Sequence, residues 1–148
     1  MHLDITPLFG ELVPRAWRGP AGQRLCTGFD IVQISQISAS VERFGKAFTH
    51  RLYTLRELEQ VSHDHGLNLD SLAARFAAKE AVIKALALSE AGISWRDIEV
   101  VKQADGGCEL QLHGRVAARA QQTGCSHWQL SLSHEGDYAG AVVMALLS

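Results

Sequence analysis

Two carboxylates and a lysine stand where the sequence pattern asks for apolar side chains. On a helical wheel at about 100° per residue, Leu69, Leu72, Phe76, Ile83 and Ala87 define one narrow stripe, and Glu80 falls inside it. Lys84 follows one turn later near the edge of that stripe, within reach of Glu80 or of an anion beside it. Asp30 is a charge in the middle of the apolar run LCTGFDIVQI. An ionised carboxylate buried alone is unfavourable enough that it must be paired, protonated or bound to a cation. The plainest solution is a Glu80–Lys84 ion pair, common at this helical spacing, with Asp30 satisfied by backbone donors. Taken together, however, two carboxylates set against one core also suit a hard cation. Oxygen ligands of this kind fit Mg2+, which keeps several waters and takes the rest of its shell from substrate phosphates.

Other polar groups gain meaning only beside that pair. His134 ends a strand whose inward parity is Trp128, Leu130 and Leu132, so its ring is expected at the rim of the core, ordinarily as a structural histidine. Arg75 lies on the same helix as Glu80, roughly a third of a turn off the stripe, where arginine is ordinarily solvated. His63 and His65 have the alternate spacing of some metal ligands but fall among polar residues, as surface groups. Cys26, Cys108 and Cys125 are far apart and lack a nearby base or a second sulfur ligand, which argues against nucleophilic or zinc chemistry. Gly106 and Gly107 read as a hairpin turn rather than a phosphate cradle.

The elements that must position these groups follow from periodicity and punctuation. All three prolines lie before Gln23, so residues 1–24 read as an irregular N-terminal extension and 25–148 as the folded domain. Leu25 to Ile34 has apolar residues of both parities, the pattern of a strand covered on both faces. Ile37, Val41 and Phe44 give a short helix, weakened at Gly45. Thr54 with Glu57 forms a capping box opening TLRELEQVSHDH, with Gly66 placed to end that helix. A long helix through LAARFAAKEAVIKALAL follows, capped by Asn68 or Asp70. DIEVVK and CELQLHG read as a hairpin, RVAARAQQ as a short helix, and WQLSLSHE with YAGAVVMALL as an antiparallel pair around Gly136 and Asp137. The expected class is α+β, a single domain with a long central helix packed on a mainly antiparallel sheet.

Composition bounds the possibilities. At 148 residues, 47% of them hydrophobic, the chain is long enough to bury one core without staples. A net charge of −2 with both signs interspersed excludes a broad nucleic-acid or membrane-binding surface. The odd cysteine count, the absence of an apolar membrane span and the lack of an export signal lead to an expected cytoplasmic location.

The ordered set GFDIV, RFAAKEAVIKAL, WRDIEV and LSLSHEGDYAGAVV, running from about Gly28 to Leu147, resembles the holo-(acyl-carrier-protein) synthase family of phosphopantetheinyl transferases. The resemblance implies the phosphopantetheinyl transferase fold and transfer of 4′-phosphopantetheine from coenzyme A to a serine of an apo acyl carrier protein. Adenosine 3′,5′-bisphosphate would leave. It further implies that Asp30 and Glu80 bind Mg2+ with the coenzyme A pyrophosphate, and that Lys84 contacts that phosphate group. Glu80 and Lys84 would then be the catalytic residues, with either Glu80 or a water on the metal taking the serine proton. Arg75 and His134 would hold phosphates of the nucleotide portion, with Lys79 a weaker candidate. The resemblance also implies a homotrimer with active sites between subunits.

The chain departs from the family pattern in places. Where the family commonly reads DIVEIERI, this chain has DIVQISQI, so Gln33 and Gln36 replace an acid and a base. The basic position pairs, in the family, with the acidic recognition helix of the carrier, and Gln36 should weaken that docking. Arg43, Lys46 and Arg51 offer a substitute basic surface. Together with the extension, this departure is compatible with a carrier of fatty-acid or specialised polyketide synthesis. The competing readings are a non-catalytic homologue that binds coenzyme A or a carrier, and a structural scaffold in which the buried charges only pair with each other.

Overall fold

The computed structural model of the chain describes residues 24–90 and 92–148, together with the backbone of 17–18. Most of the expected extension therefore lies outside the described residues. Trp17–Arg18 forms a two-residue strand, β1, paired with the start of β2, Arg24–Gln33. The chain then runs through helices α1 (Ile34–Phe44), α2 (Lys46–Leu52) and α3 (Leu55–Val61) into a small hairpin of β3 (Ser62–His63) and β4 (Gly66–Leu67). Helix α4 (Leu69–Ala85) follows, then β5 (Ile98–Lys102), β6 (Cys108–Leu112), α5 (Gly114–Thr123), β7 (Cys125–Glu135) and β8 (Tyr138–Leu147). The strands form a four-stranded antiparallel sheet, β1-β2-β8-β7, with β5-β6 as a separate hairpin. The α+β class is as expected.

Several local expectations hold for the reasons given. Thr54 Oγ1 accepts from Glu57 N at 3.1 Å while Thr54 N donates to Glu57 Oε1 at 3.0 Å, a complete capping box. Asn68, rather than Asp70, caps α4 by accepting from Ser71 N at 3.0 Å. Gly45, at φ +53, breaks the first helical stretch into α1 and α2.

Other expectations are corrected. Helix α3 ends at Val61, not at Gly66, because Ser62–His63 pair back onto Gly66–Leu67. The β2 strand stops at Gln33. It is covered on one face only in the single chain, since Phe29 and Ile31 are 57% and 56% exposed. The narrow stripe on α4 is also wrong. That helix is wrapped by the sheet on one side and by α1, α3 and β5 on the others, so burial extends around most of its circumference. Leu72, Ala73, Ala77, Ala78, Ala81 and Val82 are fully buried, while Leu69, Phe76 and Glu80 are half-buried and Ala87 is exposed beyond the helix end.

The packing that matters for chemistry is between α4 and the centre of the sheet. Ala77, Ala78, Ala81 and Ala85 lie against Cys26, Ala141, Val143 and Ala145 in one cluster. Small side chains on both sides let the helix approach closely. Gly28 takes this furthest: a Cβ there would overlap the Ala81 carbonyl and come 3.1 Å from Ala85 N.

Candidate active site

The absence of a side chain at Gly28 brings strand β2 onto the last turns of α4, and two residues later the strand delivers Asp30 beside them. Lys84 Nζ donates to Asp30 Oδ1 at 2.8 Å and to the Phe29 carbonyl at 3.1 Å. The Asp30 side chain is 16% exposed and that of Lys84 55%, so the pair sits at the rim of the core and opens to solvent. The plain alternative of a Glu80–Lys84 ion pair gives way here, because the ammonium turns to the strand.

Glu80 lies one helical turn before Lys84 and faces Asp30 as well. Its carboxyl is pushed up to about 7, first by burial, then by a hydrogen bond and charge repulsion from Glu90, and further by the charge of Asp30; Lys84 acts in the opposite direction. Two carboxylates whose charges repel in this way form a site that a cation would relieve. Glu90 sits in the loop after α4 and carries no periodic signal in the sequence; only the fold brings it to Glu80. Among the described residues no group of three or more His, Cys, Asp or Glu could hold a metal ion. A metal held by Asp30 and Glu80 would thus need further ligands from water and substrate.

The remaining sequence candidates lie elsewhere on the chain. Arg75 is almost fully buried, contrary to the solvated position expected, and its Nη2 donates to Gln60 Oε1 at 3.4 Å. Its Nε is buried with no hydrogen-bond partner. His134 is exposed, with Nδ1 3.7 Å from Asp70 Oδ2. Lys79 is fully enclosed, donating to Glu57 Oε1 at 2.7 Å, to the Trp95 carbonyl at 3.2 Å and to the Ile98 carbonyl. Burial lowers its proton affinity, opposed by the charge of Glu57. With three acceptors already in place, Lys79 ties α3 and β5 to the central helix.

His63 and His65 are exposed on the β3–β4 hairpin, away from any carboxylate cluster. Cys26 and Cys125 meet with Sγ atoms 3.2 Å apart in the core, and burial pushes the Cys26 thiol up to about 12, which removes it from nucleophilic chemistry. Beside Glu90 opens a polar cavity of about 420 Å³, lined by Arg51, Ser94, Trp95 and Arg96 among others. Trp95 stacks on Phe76 of α4, with ring centroids 5.4 Å apart. Arg96 in this cavity was not marked by sequence pattern, since it sits in a short 3-10 turn (Trp95–Asp97) with no period to read.

The geometry therefore offers two carboxylates, a cation and an adjacent cationic cavity on one side of the molecule. The family model of the 4′-phosphopantetheinyl transferase superfamily matches residues 26–143. The chain is 40% identical to the holo-[acyl-carrier-protein] synthase of Herpetosiphon aurantiacus over 129 residues, covering 82% of this chain and 98% of that protein. It is 44% identical to the holo-[acyl-carrier-protein] synthase of Dehalococcoides mccartyi over 121 residues, covering 82% and 98%. A Chronobacterium ammoniagenes ACPS–CoA complex superposes with a TM-score of 0.75 at 30% identity, covering 84% of this chain and 98% of that one.

Proposed function

The chain belongs to the 4′-phosphopantetheinyl transferase superfamily, and on that premise we propose that Asp30, Glu80 and Lys84 form its transfer site. The enzyme is a holo-[acyl-carrier-protein] synthase, moving 4′-phosphopantetheine from coenzyme A to a serine of an apo acyl carrier protein. The observation that carries the site assignment is the 2.8 Å contact of Lys84 with Asp30 beside Glu80, set by the Gly28 approach.

In this reading Asp30 and Glu80 hold Mg2+, a choice supported by an all-oxygen donor set in which the charge of Asp30 helps raise the proton affinity of Glu80. Bound there with the coenzyme A pyrophosphate, the metal would supply charge neutralisation on phosphate oxygens. Lys84, half-exposed at the rim, turns from Asp30 to the phosphate and stabilises charge that develops on the leaving side. Arg75 and His134 are assigned to the nucleotide phosphates. The buried, unpartnered Nε of Arg75 supports a further acceptor for that side chain, and Arg51 and Arg96 in the neighbouring cavity add positive charge. The serine attacks the phosphate bearing pantetheine, and adenosine 3′,5′-bisphosphate departs.

The reading includes a homotrimer with sites completed between subunits. Its support is the outer face of the sheet, where Phe29, Ile31, Val142, Met144 and Leu146 stand exposed on adjacent strands, with Phe29 opposite Val142 in register. An apolar strip of this kind is unfavourable in water unless another surface covers it, and burial there would give β2 the second covered face its sequence asks for. The carrier is assigned to the exposed face of α1 and α2, where Arg43, Lys46 and Arg51 outnumber Glu42. Free thiols at Cys26, Cys108 and Cys125 support a reducing, cytoplasmic setting, and the carrier is assigned to fatty-acid or specialised polyketide synthesis. No described helix is long and apolar enough to cross a membrane.

Intact-protein mass spectrometry of several apo carrier proteins incubated with coenzyme A and Mg2+ tests this reading. A gain of one phosphopantetheine, lost with a chelator and with Asp30→Ala, is expected. Coenzyme A binding without any mass gain would instead make the chain a non-catalytic homologue.

A further inference from the structure

Helix α1 begins directly where strand β2 ends, and its own N-cap residue, Gln33, makes no side-chain cap. The first backbone N–H groups of a helix have no partner within it and must find one elsewhere. Here they find it 102 residues along the chain. Ile34 N donates to the Asp137 carbonyl at 2.8 Å, Ser35 N to Asp137 Oδ1 at 2.8 Å, and Ser35 Oγ to Asp137 Oδ2 at 2.6 Å. A carboxylate at this end also complements the helix dipole. Beside it, Gln33 Nε2 donates to Tyr138 Oη at 3.3 Å. Asp137 lies in the β7–β8 turn, next to Gly136 at φ +56 and three residues after His134.

We infer that Asp137 is a positioning residue that fixes the start of α1, and with it the carrier-facing surface, relative to the transfer site. The inference rests on the proposed assignment of the carrier to α1 and α2. One turn thus ties two parts of the reaction together: the strand pair bearing His134 and the helix that follows Asp30. Ile34 and Ile37 keep the inner side of α1 on the core, so loss of the cap loosens the helix direction without unfolding the domain. The Asp137 and Ser35 side chains are themselves exposed and contact none of the residues assigned to coenzyme A.

The test is steady-state kinetics of full-length Asp137→Ala, Asp137→Asn and Ser35→Ala, varying carrier at saturating coenzyme A and the reverse, with coenzyme A affinity measured by calorimetry. Asp137→Ala is expected to raise the carrier KM about fivefold, the usual size of a lost helix cap. Its coenzyme A affinity should stay at the wild-type value. Asp137→Asn keeps an acceptor for Ser35 N and should restore most of the loss; Ser35→Ala, which removes one of the three bonds, should give a smaller rise. An unchanged carrier KM in Asp137→Ala overturns the inference, as does an equal fall in activity toward both substrates that Asp137→Asn fails to rescue. Failure of the underlying functional reading would look different, since the wild type itself would then transfer nothing.

Discussion

Lys84 and Asp30, 54 residues apart in sequence, meet at 2.8 Å, and the same ammonium reaches the Phe29 carbonyl at 3.1 Å. The pair stands at the solvent rim rather than in the core, with the lysine more than half exposed. An ion pair so placed contributes little to folding, typically under about 1 kcal/mol. Its value is in poising a cation beside a carboxylate where phosphate would arrive.

Lys84→Met should therefore separate function from stability. Urea unfolding is expected to shift by less than about 1 kcal/mol, while single-turnover transfer falls by about 10²- to 10³-fold, the usual effect of removing one preorganised charge partner. A loss of stability that accounts for the loss of activity would return the pair to a structural role.

Glu80 gives a pH signature. Its carboxyl holds a proton up to about pH 7 in the folded chain, against an ordinary value of 4.5. Between those values the folded protein binds more protons than the unfolded chain, so stability of the metal-free protein should decline as pH rises through that window. Cation binding should strengthen over the same range, as the competing proton leaves. Glu80→Gln is expected to flatten both profiles, followed by thermal melts and by Mg2+ titration calorimetry; a wild-type melt insensitive to pH in this window would contradict the burial argument.

Gly28→Ala tests the contact that builds the site. The added methyl group overlaps the Ala81 carbonyl, so strand and helix must part, at roughly 1–3 kcal/mol for such overpacking. Activity per folded molecule should fall as well, because Asp30 moves away from Glu80 and Lys84. Denaturant titration alongside kcat measured on the folded fraction reports both.

Lys79 is expected to behave in the opposite sense to Lys84. Lys79→Met leaves Glu57 fully buried with its cationic partner removed, and breaking such a pair destabilises by about 3–5 kcal/mol. Coenzyme A affinity of the folded protein should not change. A stable Lys79→Met protein with weakened coenzyme A binding would instead place this lysine on the phosphates.

The exposed strip on the sheet predicts an assembly defect. Met144→Glu introduces a charge on a residue that is 41% exposed in the single chain, so the isolated fold should tolerate it. Sedimentation velocity should show the wild type as a trimer and the variant as a monomer with little transfer activity. A wild type that sediments as a monomer at micromolar concentration would remove the assembly from the reading.

What was legible in the sequence were features whose energetics are local. The Thr54–Glu57 capping box, the β5–β6 and β7–β8 hairpins and the long α4 helix depend on contacts within a few residues, so residue type and spacing reveal them. Asp30, Glu80 and Lys84 were conspicuous because each breaks a local apolar pattern. What period could not reveal was the outcome of packing between segments far apart in the chain. A wheel drawn for a helix with one buried side misplaces Arg75 and Lys79 when that helix is wrapped on most sides. The close approach at Gly28 brings Asp30 to Lys84, which pairs with it rather than with Glu80, and the path of the loop after α4 brings Glu90 to Glu80. The cap on α1 likewise comes from Asp137, for the same reason: hydrogen-bond donors at a helix start are satisfied by whatever the tertiary fold brings within about 3 Å, at any separation in sequence.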